Sequence, residues 1–164
     1  GPTVKLNRIL VALATLLVAG GLLAACGSDE KDQYAEDVDE VLTPLGEELT
    51  SLGADLSATT DPKQLADGIG EAETTIDDGI SQLESITPPE GVEQVHEDLI
   101  AALQTFNDEL APVREAAEEG DLAKLQEAAL SLPAAAVEFQ DELTSIQNEA
   151  IDAGVPIEPP EGGE

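Results

Sequence analysis

Basic and aromatic side chains are scarce in this chain. It carries 6 Lys+Arg against 36 Asp+Glu, a formal net charge of −30 over 164 residues. Nucleic-acid recognition needs clustered Lys and Arg to displace phosphate counterions, so no nucleic-acid partner is expected. The aromatics are Tyr34, Phe106 and Phe139, with no Trp. Three rings supply neither a stacking platform for bases nor an aromatic floor for sugars. The one cysteine, Cys26, precludes an intrachain disulfide and any cysteine-based zinc or iron–sulfur framework. There is no Gly-x-Ser-x-Gly, and the acidic runs Asp77-Asp78-Gly79 and Asp37-Val38-Asp39-Glu40 lack the remaining spacing of a calcium loop. Catalysis and a bound cofactor are therefore not expected. What is present is a 41% apolar content, enough to bury a core, on a length that fits one domain.

The first 26 residues are unlike the rest. No acid precedes Asp29, Lys5 and Arg8 form a short positive region, and Ile9 to Leu23 are fifteen residues without a charge. That run is short of the roughly 20 residues of a bilayer span but suits the apolar region of a signal peptide. Leu23-Ala24-Ala25-Cys26 follows and resembles the lipobox of bacterial lipoproteins. The resemblance implies cleavage between Ala25 and Cys26, a diacylglyceryl group on the Cys26 thiol, and Cys26 as the mature N-terminus. Two acyl chains such as palmitate suffice for stable attachment. The expected place is the cell membrane, with the lipid on Cys26 as anchor and the domain on the extracytoplasmic side.

From Cys26 onward, four cations (Lys31, Lys63, Arg114, Lys124) face all 36 acids, a balance of −32. This acid-rich, Lys-poor composition, with Pro88-Pro89, then His96, then a helix paced by Leu99 and Leu103, is similar to acidic helical lipoproteins of high-GC Gram-positive bacteria. The likeness brings no activity with it.

The chain divides into a signal peptide (1–25), a polar tether (26–33), a helical domain (34–153) and a loose acidic tail (154–164). Four apolar stripes at 3–4 spacing define the domain. The first runs Tyr34, Val38, Val41, Leu45, Leu49, Leu52, Leu56 and passes Pro44 in phase, which predicts one kinked helix. The second starts at Asp61-Pro62-Lys63-Gln64, where Asp61 is placed to cap and Gln64 to reach back, and runs from Leu65 to Ile86 before Thr87-Pro88-Pro89 stops it. Gly68, Gly70 and Gly79 weaken it by about 1 kcal/mol each relative to Ala. The third runs from Val92 to Ala117 past Pro112. Gly120 and Asp121 then read as a left-handed helix end followed by a new cap. The fourth, Leu122, Leu125, Ala129, Leu132, Ala136, Phe139, Leu143, Ile146, Ala150, is an unbroken heptad seam. Short links between long helices predict an all-α, up-down-up-down four-helix bundle. A helical-repeat solenoid is the alternative, although no internal repeat is found.

Two residues hint at chemistry. Glu93 and His96 form a Glu-x-x-His, the spacing used on one helix face by di-iron carboxylate bundles. Those sites need further inward carboxylates, whereas the stripes here are Leu, Ile, Val and Ala, and both residues lie one position off the stripe. His96 therefore reads as a partly exposed structural residue, and no metal site is expected. The reading that follows is a lipid-anchored, non-enzymatic binding or scaffold module with an envelope protein as partner. The alternative is a small-ligand- or metal-capturing lipoprotein of an uptake system, with a slot at the alanines of the stripes (Ala72, Ala129, Ala136, Ala150).

Overall fold

A computed structural model describes residues 29–156. Four helices account for almost all of them: α1 (Asp29–Ala58), α2 (Pro62–Ser85), α3 (Glu93–Glu119) and α4 (Leu122–Asp152). They form the up-down-up-down bundle that the stripes predict, with α1 packed on α2, α2 on α3, and α3 on α4. No Cα atoms of α1 and α4 approach within 8 Å. These two outer helices come together through side chains at the end that holds Asp29 and Asp152.

The helix ends follow local rules. Asp61 caps α2 by accepting from the Lys63 N–H at 2.9 Å, and Asp121 caps α4 by accepting from the Ala123 and Lys124 N–H groups at 3.0 and 3.2 Å. Gly120 closes α3 at φ 66°, a left-handed conformation that costs glycine nothing. Gln64 does not reach back to the α2 backbone; its side-chain oxygen accepts from the Thr59 hydroxyl at 2.9 Å. Prolines 44, 112 and 133 all lie inside continuous helices.

Two domain boundaries differ from the sequence reading. The tether was expected to reach residue 33, yet α1 begins at Asp29. Asp29, Glu30 and Asp32 sit in its first turn, where carboxylates favour the partial positive charge of the helix N-terminus. Lys31 adds a tie by donating from Nζ to the Ala153 carbonyl beyond the end of α4. At the other boundary, the tail was expected from residue 154. Instead Gly154, at φ 85°, donates to the Ile151 carbonyl, and Val155 donates to the Ala150 carbonyl, both at 2.9 Å. This pair of bonds is a Schellman motif, and its following apolar residue, Val155, is buried. Residues 157–164 of the expected tail, and the Leu56 side chain of the first stripe, lie outside the described set.

The main core joins Val41 and Leu45 of α1, Ile69, Ile76, Ile80 and Leu83 of α2, Leu99, Leu103 and Phe106 of α3, and Phe139 and Leu143 of α4. Phe106 and Phe139 stack with centroids 4.8 Å apart. Gly79 lets α1 and α2 close up, since a Cβ there would lie 3.2 Å from Leu45 Cδ2. Arg114 ties α3 to α2 through a 2.5 Å pair with Glu73 and also bonds Glu118 at 2.8 Å. One stripe residue departs from expectation: Leu122 is 69% exposed. It is the first residue of α4, and α3, the only helix packed along α4, has already ended at Glu119.

Candidate functional site

The polar chemistry of the interior gathers where α1 starts and α4 ends. A second apolar cluster closes this end, built from Tyr34 and Ala35 of α1, Val92 and Val95 around the start of α3, Ala150 of α4, and Val155. His96 sits beside it on α3. It is buried, not partly exposed as its off-stripe position suggested, and it is the only buried charged or strongly polar side chain of the described residues. The reason lies in the position of α3. This helix packs against both α2 and α4, so its buried face widens to include the neighbours Val95 and His96, and likewise Ala102 and Leu103.

The Tyr34 hydroxyl and His96 Nδ1 are 3.0 Å apart, with the rings edge-on. Burial lowers the His96 pKa; a backbone hydrogen bond at Leu83 and the charge of Glu97 oppose that shift. Burial raises the Tyr34 pKa to about 12, which keeps the phenol protonated and able to donate. One imidazole thus links α1, α2 and α3 with every partner neutral.

Glu93 takes no part in this junction. It is exposed, and its carboxylate accepts from the Gly91 N–H at 2.8 Å, bracing the turn before α3. The Glu-x-x-His spacing therefore divides into a turn brace and an interior tie. Among the described residues no three His, Cys, Asp or Glu side chains are grouped to hold a metal ion. Cys26 and Ala25, the predicted lipidation and cleavage residues, lie outside the described residues.

Three of the four stripe alanines are packed into the core, and the fourth, Ala129, is half-buried. Ala72, Ala136 and Ala150 are 7%, 3% and 1% exposed and lie within the two apolar clusters. Clefts of about 240, 290 and 480 Å³ lie at the surface instead. The largest runs between the first turns of α1 and the α2–α3 link, lined by Asp29, Glu30, Asp37, Tyr34, Pro88 and Pro89. Sequence reading had no signal for it, because its two walls are about fifty residues apart in the chain. No described helix is long and apolar enough to cross a membrane.

Comparison with family models, curated proteins and solved structures found no match for this chain.

Proposed function

We propose that this protein is a lipid-anchored binding or scaffold module of the cell envelope, held at the membrane by acylated Cys26 and acting through the outer surface of its bundle. The observation that carries the reading is the distribution of its groups. The interior is given over to aliphatic packing, and its one imidazole is bound to Tyr34 and Leu83. The variety of side chains is on the outside, along helices roughly 40 Å long. The lipobox-like Leu23-Ala24-Ala25-Cys26 supports the anchor.

Two measurements test it. Mass spectrometry of the protein from a host with lipoprotein processing should find Cys26 acylated and N-terminal, and Cys26→Ala should remain unprocessed; unmodified wild-type Cys26 would refute the anchor. The membrane-tethered domain should also retain an envelope protein that a charge-matched acidic control does not. Recovery of nothing beyond that control would refute the binding role.

A second reading, capture of a small cationic ligand or metal, is favoured by the cleft of about 480 Å³ with its three carboxylates. Calorimetric titration with divalent cations and polyamines tests it. The absence of saturable heat would dismiss it.

A further inference from the structure

We propose that the first three turns of α1, residues 29–40, are a latch that mild acid releases: a proton on buried His96 favours a form in which this segment swings off the bundle about Pro44 and uncovers the end cluster.

The segment is held less firmly than the rest of the bundle. The backbone of α1 packs on α2 alone among the described helices. Tyr34 and Ala35, the two buried side chains of the segment, belong to the end cluster, whereas α1 joins the main core further on, at Val41 and Leu45. Between them, Val38 is half-buried against both clusters. Pro44 has no N–H to give the Glu40 carbonyl, and Gly46 follows two residues later, so α1 bends most easily just beyond the segment. The closed end also leaves polar atoms unsatisfied. Asp32 Oδ1 in the segment and Gln147 Oε1 in the last two turns of α4 are buried with no hydrogen-bond partner among the described residues. Burying such an oxygen without a donor is costly, and release returns the Asp32 carboxylate to water.

What closes the segment is Tyr34 on His96, together with the Lys31 bond to the Ala153 carbonyl. His96 is 5% exposed, with the Tyr34 ring edge-on to it. Tyr34 of α1, the Leu83 backbone of α2 and Glu97 of α3 itself are the groups that bear on the imidazole, and none of the described residues of α4 does. Burial lowers the His96 pKa against the opposing pull of Leu83 and Glu97. Tyr34 stays a phenol throughout, since burial pushes its own pKa up to about 12. Swinging the segment away gives the ring to water, where its pKa returns to the ordinary value of about 6.5. The open form then binds a proton that the closed form refuses. Closure is fully favoured above about 6.5 and weakens as pH falls toward the lower closed-state value. Between pH 7.5 and 5 the ratio of open to closed forms rises by at most about thirtyfold. The main core, from Val41 to Leu143, takes no part in this equilibrium, so release is local.

Hydrogen exchange on the full chain tests this, read as protection factors, which remove the intrinsic pH dependence of the amide reaction. The amides of Ala35 and Val38 lie past the first turn of α1 and report the latch; those of Leu103 and Phe106 report the main core. Ala35 and Val38 should be at least about tenfold less protected than Leu103 and Phe106 at pH 7.5 and at pH 5. Between those pH values their protection should fall at least about fivefold further in wild type than in His96→Gln, which keeps every carboxylate. His96 is the only histidine of the chain, so one set of imidazole NMR signals follows its proton, with a midpoint expected below about 6.5. Equal protection of the two groups of amides would mean that α1 opens only with the whole bundle. An equal fall in His96→Gln would assign the effect to the carboxylates. A His96 midpoint at or above about 6.5, or a titration that leaves protection unchanged, would mean that the imidazolium is housed in the closed bundle. Any of these overturns the proposal, and the midpoint decides it in the wild-type protein even if His96→Gln fails to fold.

Discussion

The Tyr34 hydroxyl of α1 and His96 Nδ1 of α3 form a 3.0 Å hydrogen bond between two helices that do not otherwise pack, and the imidazole also meets the α2 backbone at Leu83. This bond spans 62 residues of sequence and lies at the end of the bundle where α1 begins. Outer helices α1 and α4 share no close backbone packing, so the junction holds the start of α1 in place.

Tyr34→Phe should therefore cost about 1–3 kcal/mol, because it leaves the buried Nδ1 without its partner while removing almost no volume. Urea unfolding of the two proteins measures this. A difference below about 0.5 kcal/mol would show that a water or a rotated ring takes over the bond.

The same residue sets a pH dependence. The folded-state pKa of His96 is lowered by burial, so at mildly acidic pH the unfolded chain binds a proton that the folded chain refuses. Its contribution is fully present above the ordinary histidine value of about 6.5 and is lost as pH falls from there toward the lower folded value. Unfolding free energies of wild type and His96→Gln between pH 7.5 and 5 should converge as pH falls. Parallel curves would show that the imidazole titrates alike in both states.

Phe139 is 3% exposed and stacked on Phe106, whereas the preceding Glu138 is exposed. Phe139→Ala should cost about 3–5 kcal/mol, and Glu138→Ala should stay within about 0.5 kcal/mol. Thermal or urea melts that rank the two alike would contradict the phase of α4.

Two glycines of α2 should respond differently to alanine. A Cβ at Gly70 would meet Arg114 Cδ at 3.6 Å, an ordinary contact, so Gly70→Ala should stabilise by about 0.5–1 kcal/mol through helix propensity. At Gly79 the added methyl would press on buried Leu45 Cδ2 at 3.2 Å, and repacking that costs about 1–3 kcal/mol should cancel or exceed the gain. Equal stabilisation by both would mean that Leu45 moves aside freely.

Salt should stabilise the domain. Thirty-six acids face six cations over the chain, and repulsion is greater in the compact state than in the expanded one. Raising ionic strength from 0.01 to 0.1 M shortens the screening length from about 30 to about 10 Å. The Tm should rise over that range; a falling Tm would mean that ion pairs such as Arg114–Glu73 outweigh net repulsion.

The sequence by itself determined what is local. Helix positions follow from 3–4 spacing, and caps such as Asp61, Gly120 and Asp121 act within a few residues of themselves, so both are written in short windows of chain. The Phe139–Leu143 seam is legible for the same reason. Tertiary structure decided everything that depends on what stands opposite. His96 is buried because α3 has a helix on two sides, which its own stripe does not reveal. Tyr34 becomes its partner only when chain segments 62 residues apart meet. Leu122 and Val155 exchanged their expected places: the first lies beyond the end of its covering helix, while a backward turn folds the second onto the core. Leu130 and Val137 are exposed because α1 packs on α2 and leaves α4 an outer helix with a single packed neighbour, which the periodicity of α4 does not reveal.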